Sequence, residues 1–208
     1  MFKNYLKTAW RNLWKNKVFS AINIVGLAIG MAACIVIMLF VFYEKSFDNF
    51  HSKNIYRLNE VQKFEGMVAS QKVALSMFPM GPTLKNEFAE IKNFTRIRWT
   101  DKYQMTYGEQ RVFFSQSYFV DSTFLQMFDF KLIKGNRGTA LQKPNSAVLT
   151  EEGAEKLFGK EDPIGKTVTH YGNDTTQFVV TGIMQNVPSN SQLQFEGLFS
   201  FSSIYRAD

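Results

Sequence analysis

The sequence predicts a mixed α+β protein made of an N-terminal amphipathic helix, one long transmembrane helix and a mixed α+β domain. Three observations support this fold class. A basic amphipathic stretch occupies residues 1–17, a run without any charged side chain occupies residues 18–43, and short strand-like and helix-like segments alternate over residues 44–208. We therefore divide the chain into an interfacial helix (1–17), a transmembrane helix (18–43) and an external domain (44–208).

The charge-free run is long enough to cross a membrane. At about 1.5 Å per residue it reaches about 39 Å, whereas the hydrocarbon core of a bilayer is roughly 30 Å thick. A cleaved signal peptide is the first alternative, but its apolar region has only about 7 to 15 residues. A lipoprotein is the second, because Met31-Ala32-Ala33-Cys34 loosely resembles a lipobox. Residues 35–42 after it are all apolar, so we expect a permanent anchor that contains Cys34 as a small apolar side chain.

The charges on either side of this run predict its orientation. Residues 1–17 contain five basic side chains and no acidic one, whereas residues 44–53 contain both signs. Basic flanks stay in the cytoplasm. We therefore expect a cytoplasmic N-terminus, with residues 44–208 outside the inner membrane.

The first seventeen residues predict a helix that lies in the cytoplasmic headgroup layer. Apolar side chains recur at spacings of three and four, with basic side chains on the other side, which is typical of helices at a membrane surface. The predicted membrane-interface residues are Lys3, Lys7, Trp10, Arg11, Trp14 and Lys15. The alternative is a simple orientation signal, which would need the charges but not the tryptophans.

Small residues within the charge-free run predict a surface for packing against another membrane helix. Gly26, Gly30 and Cys34 recur at intervals of four, and Ala28 with Ala32 forms a second such pair. Small residues at this spacing let two helix backbones approach closely.

Composition excludes several classes of function. The net charge is +6, but five of the basic residues lie in residues 1–17, so the rest of the chain is nearly neutral and nucleic-acid binding is not expected. The chain has one cysteine and therefore no internal disulfide, so the external domain must be held together by its core. The 21 Phe and 8 Tyr residues provide the material for that core.

The first half of the external region predicts strands with one helix, in a single domain of one or two lobes. Alternation over residues 55–61 predicts a strand, and a helix is expected from Pro82 to Ile91. Residues 96–99, 103–107 and 111–115 predict three further strands, separated by Thr100-Asp101 and by Gly108-Glu109, which can close a hairpin.

The second half predicts two helices and three strands. Asp121 can cap a short helix through Phe124 and Met127. A strand is expected at residues 147–149, followed by a helix that Thr150 caps and that ends at Gly159. Val168 and residues 178–184 predict two more strands, joined by a turn at Gly172-Asn173-Asp174.

No catalytic, cofactor or metal site is predicted. Residues 159–167 end in Gly-Lys-Thr as a phosphate-binding loop does, but five residues rather than four separate the glycines, and a helix precedes the segment. His51 and His170 lie far apart in the sequence and lack neighbouring ligands with metal-binding spacing. We therefore expect a turn at residues 159–167, and no enzyme on this chain.

The order of the segments resembles the opening of MacB/FtsX-like ABC transporter permeases. Near the membrane the resemblance rests on Asn23-Ile24-Val25-Gly26-Leu27-Ala28-Ile29-Gly30, on Tyr43-Glu44-Lys45-Ser46-Phe47-Asp48-Asn49-Phe50-His51 and on Asn54-Ile55-Tyr56-Arg57. Downstream it rests on Phe128-Asp129-Phe130 with Gly135, Pro144-Asn145-Ser146-Ala147-Val148-Leu149-Thr150-Glu151, Leu157-Phe158-Gly159, Asp162-Pro163-Ile164-Gly165-Lys166 and Val179-Val180-Thr181-Gly182-Ile183.

This resemblance implies a machine in which a separate cytoplasmic ABC ATPase drives movement of a periplasmic domain. The implied partners are that ATPase, a second permease chain in a homo- or heterodimer, the lipid bilayer, and a periplasmic adaptor or outer-membrane protein. The implied roles are efflux, extraction of lipoproteins or regulation of cell-wall hydrolases. Such permeases contain further membrane helices, so we expect this chain to be the N-terminal part of a longer permease.

Two other functions remain open at this point. The first is a single-pass sensor whose external domain binds a ligand, although only seventeen residues precede the span and leave little room for an output module. The second is a membrane-tethered assembly protein, which would need no ATPase.

Overall fold

The chain forms two structural units that divide between Phe47 and Asp48. The computed structural model describes residues 2–63, 66, 71–172 and 174–205. It confirms the predicted fold class, because a long apolar helix near the N-terminus precedes a domain rich in β-sheet.

The first unit consists of two helices. Helix α1 covers Phe2–Lys15, and helix α2 covers Lys17–Lys45 without burying any residue. At about 1.5 Å per residue, α2 is about 44 Å long, which exceeds the thickness of a bilayer core. Among the described residues it is the one helix long and apolar enough to cross a membrane. It ends where the backbone N–H and the hydroxyl of Ser46 both donate to the carbonyl oxygen of Tyr43.

The second unit begins with a small sheet and a short helix. Strands β1 (Glu60–Gln62) and β2 (Gln71–Val73) pair antiparallel, and helix α3 covers Met80–Glu87. The prediction of a strand at residues 55–61 is therefore wrong except for residues 60 and 61. A strand exists only where it pairs with another, and β2 offers three residues for pairing. The expected helix begins two residues before Pro82 and ends before Ile91, because Phe88 adopts an extended conformation.

A mixed seven-stranded sheet forms most of the second unit. Its strands are β3 (Ile97–Tyr107), β4 (Gln110–Val120), β5 (Leu132–Lys134), β6 (Ser146–Thr150), β7 (Thr167–Tyr171), β8 (Thr175–Met184) and β9 (Gly197–Ser200). They pair in the order β5-β8-β6-β9-β4-β3-β7, and β7 also pairs with β8. Six strands therefore close into a ring, and β5 extends it from β8.

The sheet differs from the sequence prediction in one long hairpin. The Gly108-Glu109 turn closes β3 onto β4 as expected, but Thr100 and Asp101 lie within β3 and pair with Ser117 and Gln116. The polar side chains of Thr100 and Asp101 do not interrupt β3, because the backbone pairing of β3 with β4 continues on both sides of them. The turn between β7 and β8 also lies where predicted, although Asn173 is outside the described residues.

Two helices follow strands of the large sheet. Helix α4 covers Phe124–Met127 and is preceded by Thr123, so the expected cap by Asp121 is wrong. Helix α5 covers Glu151–Phe158, and its cap is confirmed because Thr150 Oγ1 accepts the N–H of Gly153. Gly159 ends α5 with a positive φ of 58°, a conformation that glycine adopts without steric cost. A 3₁₀ helix, Phe201–Ile204, follows β9.

The core has one hydrophobic cluster inside the ring and a second outside it. All six ring strands contribute to the first cluster, together with α5, through Met105, Phe114, Leu149, Val168, Phe178, Phe199 and Leu157. Side chains alternate between the two faces of a strand. The second cluster therefore contains Val148 and Leu198 from the opposite faces of β6 and β9, packed with α4.

Candidate functional site

The predicted membrane-interface residues all lie on α1. Lys3, Lys7, Arg11 and Lys15 recur every four residues and therefore share one side of the helix. Trp10 and Trp14 are 65% and 59% exposed, and their ring centroids are 6.5 Å apart. The Nζ of Lys17 lies 5.1 Å from the Trp14 ring. This arrangement leaves both the cations and the indole rings available, while their role at a membrane stays a prediction.

The predicted helix-packing residues lie on α2. Gly26, Gly30 and Cys34 are spaced by four residues and share one face of the helix. A Cβ atom added at either glycine would meet nothing within 4 Å, and Cys34 is exposed. The face is thus open in this structure, as a packing surface for a second helix would be, but its use for packing stays a prediction.

A third candidate site was not predicted from the sequence. It is the exit segment, residues 48–53, which begins three residues after the end of α2 in the chain. Asp48 has a positive φ of 56° and donates its N–H to Asn190 O at 3.0 Å. Its Oδ1 accepts the Ser191 hydroxyl at 3.0 Å and the N–H of Gln192 at 3.2 Å. These bonds attach the first residue of the exit segment to the loop between β8 and β9.

Asp129 attaches the other end of the exit segment. Its Oδ2 accepts both the N–H and the hydroxyl of Ser52, at 2.6 and 2.7 Å, and its Oδ1 accepts the ammonium group of Lys53 at 3.0 Å. The hydrogen bonds from Ser52, followed by the one from Lys53, hold the pKa of the Asp129 carboxyl well below its usual value. The carboxylate is therefore ionised at neutral pH, and charge-assisted bonds of this kind are stronger than neutral ones.

His51 lies between these two attachments. Its Nδ1 is 3.1 Å from the backbone nitrogen of Asp129, whose N–H donates to it. Its ring packs against three aromatic rings, with centroid distances of 4.0 Å to Phe50, 5.2 Å to Phe128 and 5.2 Å to Phe130. Burial lowers the pKa of His51, while the carboxylates of Asp48 and Asp129 oppose that shift. The contacts therefore fit the neutral form of the imidazole.

A surface cavity of about 250 Å³ lies beside the first turn of α5. Its lining includes Glu152 and Glu196, whose carboxylates both bond to Lys156. The hydroxyl of Ser115 also donates to Glu196. Lys156 therefore offsets the charge of both carboxylates, although Oε2 of Glu196 is buried without a hydrogen-bond partner among the described residues. These contacts identify no ligand for the cavity.

The segment at residues 159–167 is a turn, as predicted. It follows α5 and leads into β7, and Lys166 forms an ion pair with Glu161. Gly165 N–H donates to Val180 O at 2.8 Å, which fixes the turn to the neighbouring strand. In the part of the chain that the structure describes, no group of three His, Cys, Asp or Glu side chains could hold a metal ion.

The chain is similar in sequence to a family of periplasmic domains. The sequence model of the MacB-like periplasmic core domain matches residues 20–205. A comparison with curated protein sequences gives no match.

The chain matches several solved domains, and a TM-score above 0.5 supports a shared fold with the first of those described below. A domain of a permease protein from Porphyromonas gingivalis matches with a TM-score of 0.57 and 21% identity, over 64% of this chain and 56% of that one. The periplasmic region of MacB from Actinobacillus actinomycetemcomitans matches with a TM-score of 0.46 and 21% identity, over 60% and 54%. The extracellular domain of the ABC-type transporter YknZ from Gram-positive bacteria matches with a TM-score of 0.40 and 18% identity, over 53% and 54%. The chain thus spans little more than half the length of each solved domain.

Proposed function

Because this chain belongs to the family of the MacB-like periplasmic core domain, we propose that it is a membrane component of a MacB/FtsX-type ABC transporter. The observation that supports this most is the extent of the family match. It begins at residue 20, within α2, and continues to residue 205, so the apolar helix and the sheet-rich unit belong to one family pattern. The fold shared with the Porphyromonas gingivalis permease domain supports the same assignment.

In this proposal the chain transmits motion and does not hydrolyse ATP. A separate cytoplasmic ABC ATPase changes shape as it binds and hydrolyses ATP. The membrane helix α2 passes that movement to residues 48–205, which act in the periplasm. Efflux, extraction of lipoproteins and regulation of cell-wall hydrolases are all compatible with such movement, with or without an adaptor or outer-membrane protein.

The proposed placement puts α1 in the cytoplasmic headgroup layer, α2 across the inner membrane, and residues 44–208 in the periplasm. The cations of residues 1–17 and the exposed Trp10 and Trp14 support this placement. Lys7→Cys and Lys102→Cys variants, both built on Cys34→Ala, can test the orientation with a thiol reagent that does not cross membranes. In spheroplasts only the Lys102→Cys variant should react, and reaction of Lys7→Cys before permeabilisation would contradict the placement.

The proposal further includes a pair of permease chains. The open face of Gly26, Gly30 and Cys34 supports close packing of α2 against a membrane helix of the second permease chain.

Isolation of the protein from its own membranes tests the proposed function. The full protein, with an affinity tag, would be cross-linked in native membranes, purified and analysed by mass spectrometry. We expect an ABC ATPase among the cross-linked partners and not with an equally tagged, unrelated single-pass membrane protein. Recovery of a kinase or cyclase output module in place of an ATPase would favour a sensor and contradict the proposal.

A further inference from the structure

The exit segment is the first part of the second unit. In the sequence, two residues, Ser46 and Phe47, separate it from the end of α2. Its two ends are attached to parts of the sequence that lie far away. Asp48 bonds to Ser191 and Gln192, and Ser52 bonds to Asp129. A force that reaches Asp48 along the backbone is therefore transmitted to the β8–β9 loop and to the segment after α4.

The bond between His51 and Asp129 depends on the protonation of the imidazole. A backbone N–H can only donate, so Nδ1 of His51 must be the acceptor and must lack a proton. A neutral imidazole with its proton on Nε2 meets this condition. A protonated imidazole has N–H groups at both positions, and its Nδ1–H would face the N–H of Asp129.

We propose that the exit segment is a proton-sensitive joint, held closed by neutral His51 and loosened when His51 is protonated. The inference rests on the proposed function, because the joint is where movement of α2 would enter the periplasmic domain. His51 is a positioning residue in this account. It acts through the backbone of Asp129, whose side chain holds Ser52 and Lys53.

The charged groups near His51 among the described residues are Asp48, Asp129 and Lys53, and its ring also packs against Phe50, Phe128 and Phe130. The two carboxylates favour the charged imidazole. Burial among the aromatic rings disfavours it, and so does the positive charge of Lys53. Burial is the largest effect, so the pKa of His51 in the closed joint lies below its ordinary value of 6.5. A group with a lowered pKa binds a proton more readily in the open form, so acid favours opening.

Hydrogen exchange of the full chain in lipid nanodiscs measures this opening directly. The two reporter amides are those of Asp129 and Ser52, because each donates within the joint. After correction for intrinsic exchange, their protection should be constant above about pH 7 and fall as the pH drops through about 6.5, by at most about tenfold per pH unit. The fall should stop at the pKa of His51 in the closed joint. The amide of Val179 in β8, which donates to the carbonyl oxygen of Asn145 just before β6, should show no such fall.

The matched variant is His51→Asn, whose amide oxygen can take the place of Nδ1 as an acceptor but does not titrate. Its reporter amides should remain protected across the same pH range. Asp129→Asn, which removes the charged acceptor, should lower the protection of Ser52 at every pH. Equal pH profiles for the wild-type chain and His51→Asn would overturn the inference, as would a flat wild-type profile.

If His51→Asn does not fold, titration of the wild-type His51 ring signals by NMR decides the question. A pKa below 6.5 supports the joint, and a pKa at or above 6.5 overturns it. None of these measurements involves the ATPase. The inference about the joint can therefore be wrong while the chain is still purified together with an ABC ATPase. It can also be correct for a chain that has no such partner.

Discussion

Ser52 and Asp129 are 77 positions apart in the chain, yet two hydrogen bonds of 2.6 and 2.7 Å join the N–H and the hydroxyl of Ser52 to one carboxylate oxygen of Asp129. Asp129 therefore fixes the exit segment to the segment between α4 and β5. Lys53 adds an ion pair to the other oxygen of the same carboxylate.

Asp129→Asn should destabilise the second unit at neutral pH. Loss of the charged acceptor should lower the free energy of unfolding by about 1.5–3 kcal/mol, the usual range for hydrogen bonds to a charged group. The pKa of Asp129 is lowered in the folded state, so its contribution is present above the ordinary pKa of 3.8 and is lost as the pH falls below it.

Unfolding of the full chain in detergent, followed by near-UV circular dichroism between pH 7 and pH 3, measures this effect. Asp129→Asn should also show a weaker loss of stability with acid than the wild-type chain. Asp101→Asn, a change at an exposed position of β3, is the matched control and should behave as wild type. Equal stabilities of the Asp129 and Asp101 variants would contradict the prediction.

Arg96→Lys should destabilise the large sheet, although it preserves the charge. The guanidinium of Arg96 donates from Nε and from one terminal nitrogen to the two oxygens of Asp121, at 2.9 and 2.7 Å. It also lies 4.2 Å from the ring centroid of Phe201. The ammonium group of a lysine cannot form this bidentate pair with Asp121, and it cannot stack on the Phe201 ring as a planar guanidinium does.

We expect Arg96→Lys to lower the free energy of unfolding by about 1.5–3 kcal/mol, as for the loss of a charged hydrogen bond. Urea titration of the full chain in detergent gives the value. Arg98→Lys, at an exposed position two residues along β3, should change it by less than about 0.5 kcal/mol. The prediction fails if the two variants unfold at the same urea concentration.

Cys34 provides a direct test of the proposed packing face. It is the one cysteine of the chain, so a disulfide between two copies must join Cys34 to Cys34. If Gly26, Gly30 and Cys34 face a second copy, an apolar oxidant should cross-link Cys34 in membranes. Moving the thiol by one position, with Cys34→Ala and Ile35→Cys together, turns it about 100° around the helix and should greatly reduce cross-linking.

Gly30→Leu should also reduce the cross-linking of Cys34, because a large side chain keeps the two backbones apart. Non-reducing electrophoresis of the oxidised membranes gives the dimer fraction. Equal dimer fractions for thiols at positions 34 and 35 would show that this face does not contact a second copy.

Features that depend on neighbouring residues could be predicted from the sequence. Thr150 and Gly159 predicted both ends of α5, and Gly108 predicted the turn of the β3–β4 hairpin, because a cap or a turn involves residues only a few positions apart. The long apolar run likewise predicted α2 to within two residues at each end.

Features that depend on distant residues could not be predicted in this way. Asp121 has a side chain suited to capping α4, yet it binds Arg96, which lies 25 positions earlier. No pattern among the residues next to Asp121 predicts this partner. The closure of the ring through β7 and the attachment of His51 and Ser52 to Asp129 depend in the same way on partners that only the fold brings together. Asp48 and His51 stand out in the sequence only as polar residues after an apolar run.

The central claim, that ATP-driven movement reaches the second unit through the exit segment, is tested most directly by hydrogen exchange in nanodiscs that contain the full permease assembly and its ATPase. The Ser52 amide should be compared with and without ATP, with the sheet amide of Val179 as the reference. We predict that ATP changes the exchange rate at Ser52 and leaves that at Val179 unchanged. Identical exchange at Ser52 while the assembly hydrolyses ATP would contradict the account.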